Sequence, residues 1–380
     1  MRPLEGIRVI EMAGLAPSPY CGMLLSDFGA EVVVVDRPSK GRPEIPNIME
    51  KNPFDRGKRF IQVNLKTVEG AAVVKRMIRD FDVIIEPYRP GVMETLGLGA
   101  DEALSINQKL IYAHLTGWGQ NGPYANMAGH DINYIALSGT LSLFRQKGEK
   151  PFPPCNIVGD FAGGGMLCAM GILLALIERN RSGKGQVIDA AMVDGAASLS
   201  TLFHGLLANN LMSLDIGTNM LDSGAPYYQT YETADGKYIA VGAIEGRFYS
   251  LLLEGLGLDP SLLSRQNDTG SWPEMKNRFV QVFKTKTRDE WAAVFEGKDA
   301  CVAPVLELDE IAGHPHNQER GLIIDINGVP QPAPAPRLSR TPGNVEETEH
   351  PNRLDTTMIL KELGYSEEEV EHFLKNAIVE

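Results

Sequence analysis

The sequence contains little cysteine, and its few cysteines form no recognisable pairs. The four cysteines are Cys21, Cys155, Cys168 and Cys301, none of them in a Cys-x-x-Cys pair. A disulfide-stabilised secreted domain needs paired cysteines in a short chain, so this spacing indicates a reducing compartment. Metal-ligand spacing is missing as well, because His314 and His316 flank a proline without regularly spaced acidic or cysteine partners. We therefore expect neither a disulfide framework nor a metal site.

Long hydrophobic runs and an excess of positive charge are also absent. The longest apolar run, Met166 to Ile177, has twelve residues. Because roughly 20 apolar residues are needed to cross a bilayer, we expect a soluble protein with no membrane span. The chain carries 49 acidic against 36 basic residues, a net charge of −13, which would repel a nucleic acid. Residues 37–66 are a local exception, with eight basic and three acidic residues, and this basic segment suits a small ligand that carries phosphates.

The first 120 residues alternate between predicted strands and helices. Strands are predicted at Ile7–Met12, Glu31–Val35, Asp82–Glu86 and Leu110–Leu115, and helices at Tyr20–Phe28 and Thr67–Arg79. This order predicts an α/β fold with a large Rossmann-like domain, in which helices cover both faces of a parallel sheet. Ligands in such sheets bind beyond the carboxyl ends of the strands, and the basic segment begins there, at Arg37.

A second pattern begins after residue 224. A hairpin is predicted from Tyr228–Thr233 and Lys237–Val241, and helices follow at Phe248–Glu254, Pro273–Phe283 and Arg288–Phe295. The proline-rich stretch Val329–Pro342 is predicted to be an extended connector, and Ser366 with Glu369 to cap a last short helix. We expect a large domain at 1–200 and 330–380, a smaller α+β domain at 225–320, and linkers at 201–224 and 321–342.

His130 and Asp160 are the residues that suggest chemistry. Each can carry a proton near neutral pH if its pKa is tuned, so the pair could remove a proton from one face of a carbon and return one to the other. Taken singly, a structural histidine and a helix N-cap aspartate would be ordinary explanations. A long apolar helix is predicted from Phe161 to Arg179, and Gly163-Gly164-Gly165 in its first turn costs about 1 kcal/mol per glycine against alanine. Either bare amides for an oxyanion or close packing on the sheet would justify that cost.

These segments resemble the α-methylacyl-CoA racemase family of the class III CoA-transferase superfamily, over nearly the whole chain. The segments that carry the resemblance are Leu4-Glu5-Gly6-Ile7, Val35-Asp36-Arg37-Pro38, Arg56-Gly57-Lys58-Arg59, Tyr88-Arg89-Pro90-Gly91-Val92, Gly129 to Tyr134, Asp160 to Gly165, Gly183 to Asp189 and Gly242-Ala243-Ile244-Glu245. The histidine segment and Glu245 are typical of the racemase branch. The resemblance implies an interlocked homodimer whose active sites lie between the large domain of one chain and the small domain of its partner.

The resemblance also implies roles for individual residues. His130 and Asp160 would be the two acid/bases, and Glu245 of the partner's small domain would orient His130. Asn156 and Tyr134 would support Asp160, whose backbone amide would donate to the thioester oxygen. The residues expected to bind CoA are Arg37, Lys58, Arg59 and Arg89. The chain departs from the family at Thr95, where a basic residue is common.

The function implied is racemisation at C2 of a 2-methylacyl-CoA thioester, without a metal or redox cofactor, CoA being part of the substrate. A class III CoA-transferase with Asp160 as nucleophile is the alternative, but it leaves His130 without a task. A nucleotide-binding protein without this chemistry is a third possibility, disfavoured because prolines replace the turn glycines of G-x-G-x-x-G in Ala13 to Pro19. The end Ala377 to Glu380 does not match the Ser-Lys-Leu-type address, so cytoplasm, mitochondrion and peroxisome all stay open.

Overall fold

The computed structural model describes residues 2–38, 51–345 and 355–380, which divide into two compact units. The first unit comprises Met1–Ser138, Pro154–Leu199 and Gly321–Glu380, and the second Gly139–Pro153 and Ser200–Arg320. The domain ranges expected from the sequence stay a prediction, and the segment 139–153 groups here with the second unit.

The strands of the described chain are β1 (Arg8–Met12), β2 (Glu31–Asp36), β3 (Lys58–Gln62), β4 (Val83–Glu86), β5 (Ile111–Thr116), β6 (Gln186–Ala191), β7 (Tyr228–Glu232), β8 (Tyr238–Gly242), β9 (Val302–Pro304), β10 (Ile323–Ile326) and β11 (Val329–Pro332). The α-helices are α1 (Pro17–Asp27), α2 (Val68–Asp80), α3 (Val92–Thr95), α4 (Ala100–Ile106), α5 (Asp131–Leu137), α6 (Leu167–Ser182), α7 (Met192–Leu199), α8 (Thr201–Ala208), α9 (Gly246–Gly255), α10 (Trp272–Phe283), α11 (Arg288–Phe295), α12 (Pro315–Glu319), α13 (Thr356–Glu362) and α14 (Glu367–Lys375). A π-helix, Ile157–Met166, precedes α6.

Six parallel strands form the sheet of the first unit, in the order β3-β2-β1-β4-β5-β6. The expected α/β fold with a parallel sheet is therefore confirmed. The strand order reverses between β1 and β4, and such a reversal opens a crevice at the carboxyl ends of the two strands. Strand β3 was not predicted, because its residues are mostly polar and its pairing with β2 is not readable from local sequence.

Two apolar clusters cover the two faces of this sheet. Ile10 and Val33 face the cluster that contains Met77 of α2, whereas Val9 and Val32 face the cluster that contains Ile172 of α6. Because consecutive strand residues point to opposite faces, the unbroken valine run of β2 serves both clusters. The sheet is thus buried on both sides, which leaves its edges and strand ends for function.

The π-helix and α6 form one continuous helical stretch, Ile157–Ser182. It has 26 residues and a mean hydropathy of 1.9, so by length and composition it could cross a membrane. Of its apolar window 44% is buried inside the protein, and a single helix of this kind is weak evidence for a membrane span. The prediction of a helix that begins at Phe161 was wrong at its start, because π-helical turns precede that residue.

One face of the stretch is apolar and exposed. Its residues recur three and four positions apart and are 40–58% exposed: Met166, Met170, Leu173, Leu174 and Ile177. This spacing places them on one side of the helix, opposite the buried residues that pack on the sheet. We refer to these five residues as the exposed α6 face.

The second unit is built on the antiparallel sheet β7-β8-β9. The predicted hairpin is confirmed, with a turn in which Gly236 has a φ of 76°. Buried aromatic side chains of α9, α10 and α11 cover the sheet, among them Tyr249, Phe279 and Trp291. Strong aromatic burial explains how this smaller unit holds its own core.

The prediction of an extended connector at Val329–Pro342 was wrong at its beginning. Strand β11 pairs with β10 in a hairpin of the first unit. Its turn residues, Asn327 and Gly328, have φ angles of 55° and 77°, the conformation that a two-residue hairpin turn requires. The sequence Asn327-Gly328 is typical of such a hairpin turn, and the prediction of a connector did not take it into account. The expected capping box of the last helix is present, since Ser366 and Glu369 bond to each other's backbone.

Candidate active site

A cavity of about 440 Å³ lies at the carboxyl ends of β1, β4, β5 and β6 in the first unit. Four residues selected from the sequence line it: Arg89, His130, Tyr134 and Asp160. Residues that follow β1 and β4, including Gly14 and Tyr88, complete its wall. The cavity therefore sits at the reversal of strand order, where ligands of such sheets bind.

His130 is held at the start of helix α5. It is the N-cap residue, with extended backbone (φ −135°, ψ 173°), and its N–H donates to Oδ1 of Asn133 at 3.1 Å. Asn133 thus satisfies the donor that precedes the helix, a common arrangement at helix N-termini. The imidazole is exposed and lines the cavity, where it can exchange protons with a ligand.

Asp160 projects from the π-helix and is half-buried. Its Oδ2 accepts a hydrogen bond from Nδ2 of Asn156 at 3.0 Å. Burial raises the pKa of Asp160 above its ordinary value, the Asn156 hydrogen bond lowers it, the charge of Asp131 raises it and His130 lowers it, with a net rise. A carboxyl group with a raised pKa is better suited to accept and return a proton near neutral pH.

Tyr134 supports the backbone beside His130 more directly than it supports Asp160. Its hydroxyl donates to the backbone carbonyl of Gly129, the residue before His130. Trp118 packs edge-on against the Tyr134 ring at 4.8 Å and holds it in place. The contact expected between Asn156 and Asp160 is present. Burial is the main cause that raises the pKa of Tyr134, and the charge of Asp160 adds to this rise; the support of Asp160 by Tyr134 stays a prediction.

The backbone amide of Asp160 points to another carboxylate. Oδ2 of Asp131 accepts the N–H groups of both Gly159 and Asp160, the latter at 2.8 Å. The expectation that the Asp160 amide is presented to a thioester oxygen is therefore wrong for this conformation. Asp131 lies in the histidine segment Gly129 to Tyr134, but its contact with a residue 29 positions away is a product of the fold.

The three consecutive glycines of the π-helix are explained by close packing. A Cβ at Gly163 would lie 2.7 Å from the backbone N of Ala196, and one at Gly165 would lie 2.6 Å from the carbonyl O of Pro17. Both distances are too short for any larger residue. Of the two explanations that the sequence left open, close approach of the helix to α7 and α1 accounts for the glycines without an oxyanion site.

A second cavity, of about 1010 Å³, lies at the carboxyl ends of β1, β2, β3 and β4. Arg37 and Lys66 line it, both exposed, together with Asp36 and Thr95. Lys66 follows β3 as Arg37 follows β2, so both residues lie at the same edge of the sheet. Lys66 was not among the predicted CoA-binding residues, because β3 was not predicted. Gly14, Leu15 and Tyr88 line both cavities, so one extended ligand can occupy the two. Lys40 and Arg42 of the basic segment lie outside the described residues.

Two predicted phosphate ligands are engaged in ion pairs. The Lys58 ammonium is fully buried and lies 2.7 Å from Oε2 of Glu11 and 2.8 Å from the carbonyl O of Pro19. Burial raises the pKa of Glu11 and Lys58 opposes that rise. A ligand phosphate cannot reach Lys58 here, so the structure gives that assignment no support. Arg59 is 25% exposed and pairs with Glu362 at 2.8 Å; its role in CoA binding stays a prediction.

Glu245 belongs to the second unit. It is the N-cap residue of α9, with extended backbone (φ −77°, ψ 143°), and is exposed. The guanidinium of Arg247, the second residue of α9, lies over the ring of Phe248, with its Cζ 4.3 Å from the ring centroid. The proposed action of Glu245 on His130 stays a prediction.

The described residues supply groups for proton transfer and anion binding. Among residues 2–38, 51–345 and 355–380, no group of three or more His, Cys, Asp or Glu is arranged to hold a metal ion. His130 and Asp160 provide an imidazole and a carboxyl group in one cavity. Arg37, Lys66 and Arg89 provide cationic groups for a phosphate-bearing ligand.

Comparison with known proteins gives consistent results over nearly the full length. The chain is 50% identical to alpha-methylacyl-CoA racemase of Mus musculus, an alignment that covers 99% of this chain and 97% of the mouse protein. It is 48% identical to alpha-methylacyl-CoA racemase of Homo sapiens, with the same coverage. The fold matches the crystal structure of a CAIB/BAIF family protein from Brucella suis with a TM-score of 0.77 and 26% identity, covering 95% of this chain and 99% of that one.

Family membership follows from the extent of these matches. Residues 4–353 match CoA-transferase family III, a range that includes β1, both cavities and the whole second unit. Both of these mammalian relatives carry a racemase name, in agreement with the resemblance that the histidine segment suggested. The chain therefore belongs to CoA-transferase family III and is similar, along almost its entire length, to the alpha-methylacyl-CoA racemases of that family.

Proposed function

We propose that this protein interconverts the two C2 epimers of a 2-methylacyl-CoA thioester, with His130 and Asp160 as the acid/base pair. The observation that carries the proposal is that both side chains line one cavity at the reversal of strand order. A racemase needs two such groups because the proton leaves one face of C2 and arrives at the other.

The reaction needs only proton transfers. The thioester carbonyl acidifies the hydrogen on C2, so one side chain removes it as a proton and the electron pair moves into an enolate. The other side chain, protonated beforehand, delivers its proton to the opposite face of C2. The raised pKa of Asp160 suits this reciprocal role, because it brings the pKa of the carboxyl group closer to the ordinary pKa of an imidazole. Asp160 would serve as base for one epimer and as acid for the other.

The two adjoining cavities match a CoA ester in polarity. Arg37 and Lys66 in the larger cavity would attract the phosphates, and Arg89 stands at the cavity with the acid/base pair. The protein is otherwise strongly acidic, with a net charge of −13, so these local cations are needed to bind an anionic ligand. Tyr88 and Leu15, which line both cavities, would flank the connecting pantetheine chain.

A class III CoA-transferase is the second candidate, because Asp160 could attack a thioester and form a mixed anhydride. The name of the family agrees with a transferase, but His130 in the same cavity would then have no role in the reaction.

Incubation with a single-epimer 2-methylacyl-CoA in D₂O distinguishes the racemase from the transferase. We expect deuterium at C2 together with inversion. Movement of labelled CoA to a free carboxylate, with unlabelled C2, would establish the transferase instead.

We also propose that the protein works as a homodimer with shared active sites. The exposed α6 face presents five large apolar side chains on one helix, and contiguous exposed apolar surface is typical of protein contact sites. The family resemblance implies that the second copy is the partner and that its Glu245 faces His130. Sedimentation at assay concentration should give a dimer; a fully active monomer would contradict the proposal.

The cationic residues should control affinity more than turnover. Replacing Arg37 or Arg89 by alanine is expected to raise KM about tenfold or more and to change kcat less, since a phosphate contact is equally strong in the ground and transition states. Raising the salt concentration should weaken binding of the wild type. Steady-state kinetics and a titration with free CoA provide the measurement.

Two variants serve as comparisons for this prediction. Lys66→Ala should behave like Arg37→Ala, because both side chains line the larger cavity. Arg181→Ala, which removes an exposed cation at the end of α6, should leave the affinity for CoA unchanged. If all four variants bind free CoA equally well, the nucleotide site has been misplaced.

A further inference from the structure

The carboxyl group of Asp131 contacts the backbone of one candidate base, Asp160, and follows the other, His130, in the chain, although the proposed proton transfers need no third acid. Asp131 directly follows His130 and is the first residue of α5. It is only 4% exposed, and its Oδ2 accepts the amides of Gly159 and Asp160. Its Oδ1 is also buried and has no hydrogen-bond partner among the described residues. Burying a carboxylate costs free energy unless hydrogen bonds or an opposite charge compensate for its lost hydration.

We propose that Asp131 is a positioning residue, which fixes the carboxyl group of Asp160 relative to His130 by tying the first turn of the π-helix to the start of α5. The inference deepens the proposed racemase function and rests on it. It assigns Asp131 no contact with the substrate and no proton transfer of its own.

The geometry of the helix start explains why a side chain from another element is needed. The first N–H groups of a helix have no intrahelical acceptor, and in a π-helix the partner is five residues away. Asp131 provides one acceptor oxygen for two successive amides, those of Gly159 and Asp160. Two bonds to one oxygen fix both the position and the orientation of this turn, and a negative charge at a helix N-terminus is favourable.

Gly159 shows that the close approach is built into the sequence. A Cβ at this position would lie 2.4 Å from Oδ2 of Asp131 and 2.9 Å from its Cγ. Any larger residue would push the carboxyl group away from the two amides. Glycine is thus required for the contact itself.

Asp131 also sets the electrostatic environment of Asp160. The charged groups that act on the Asp160 pKa are Asp131, which raises it, and His130, which lowers it. Tyr134 of the same helix and Arg89 line the cavity as well. The other elements packed against the π-helix carry Asp27 on α1, His114 on β5, Glu178, Arg179 and Arg181 on α6, Asp189 on β6 and Asp194 on α7. Removing the charge of Asp131 should therefore lower the pKa of Asp160.

Two variants separate position from charge. Asp131→Ala removes the acceptor, so amide hydrogen exchange within residues 157–166 should accelerate, as measured by labelling the intact protein and analysing its peptides by mass spectrometry. Its kcat should fall about tenfold or more, because small misplacements of a reacting group are costly, while the Kd for free CoA stays unchanged. Asp131→Asn keeps an acceptor without charge, so it should preserve more of the protection and move the acidic limb of the kcat–pH profile to lower pH.

Asp101→Asn, the same change of charge at an exposed position of α4, is the control and should alter none of these quantities. Unchanged protection of residues 157–166 in Asp131→Ala would overturn the positioning contact, and so would a kcat and an acidic limb that stay at their wild-type values in both variants. If protection is lost along the whole chain in Asp131→Ala, the acidic limb of Asp131→Asn decides. Failure of the wild type to exchange the hydrogen at C2 would instead refute the proposed function, while the exchange measurement still tests the contact.

Discussion

Replacing His130 or Asp160 by alanine is expected to lower epimer interconversion by at least ~10²-fold, the lower end of the contribution of one general acid or base. Each variant loses the group that serves one face of C2, so neither direction of the reaction can be completed. Affinity for free CoA should change little, because the cations that line the larger cavity are retained. Kinetics with each pure epimer, a CoA titration and circular dichroism measure the three quantities.

The two variants should differ in the epimer whose hydrogen they still exchange. In His130→Ala the carboxyl group of Asp160 can still remove and return the proton on its own face, so one epimer should take up deuterium slowly without inversion. Asp160→Ala should show the same behaviour with the other epimer. His316→Ala and Asp101→Ala, both at exposed positions, are matched controls with wild-type activity. Near-normal interconversion by His130→Ala would remove the histidine from the mechanism and favour the transferase.

The parallel sheet was predictable to the extent that its strands are apolar. Four of its six strands, β1, β2 with its valine run, β4 and β5, follow directly from buried hydrophobic segments. Strand β3 begins with Lys58 and Arg59, and local sequence cannot show that a lysine will be buried against Glu11 of β1, two strands away in the sheet. The same missing strand concealed Lys66, which reaches the sheet edge only because β3 pairs beside β2.

The candidate site was predictable in its residues but less so in their contacts. Asn156 and Asp160 are four residues apart, so their hydrogen bond is a local feature that sequence spacing can indicate. The contact of Asp131 with the Asp160 amide depends on how α5 packs against the π-helix, and no local pattern reports it. For the same reason, the glycines after Asp160 were compatible with an oxyanion site until the backbone of Ala196 was seen to occupy the adjacent space.

Mixing two differently inactivated chains is expected to restore activity. Under the interlocked arrangement that the family resemblance implies, each site takes His130 and Asp160 from one chain and Glu245 from the other. A heterodimer of Glu245→Ala and Asp160→Ala chains would then contain one site with both defects and one site with only wild-type residues. Random pairing in a two-fold dimer should return about a quarter of wild-type activity, because half of the dimers carry one intact site each.

Co-refolding the two variants at equal concentration, followed by an epimerisation assay, measures this recovery. Each variant refolded alone sets the baseline, and a mixture prepared without unfolding controls for exchange of subunits between native dimers. Since Glu245 would orient the imidazole rather than carry a proton, its own variant should retain more activity than Asp160→Ala. The recovery must therefore exceed the activity of the better single variant. A mixture that shows only the average of the two baselines would mean that each active site is built from a single chain.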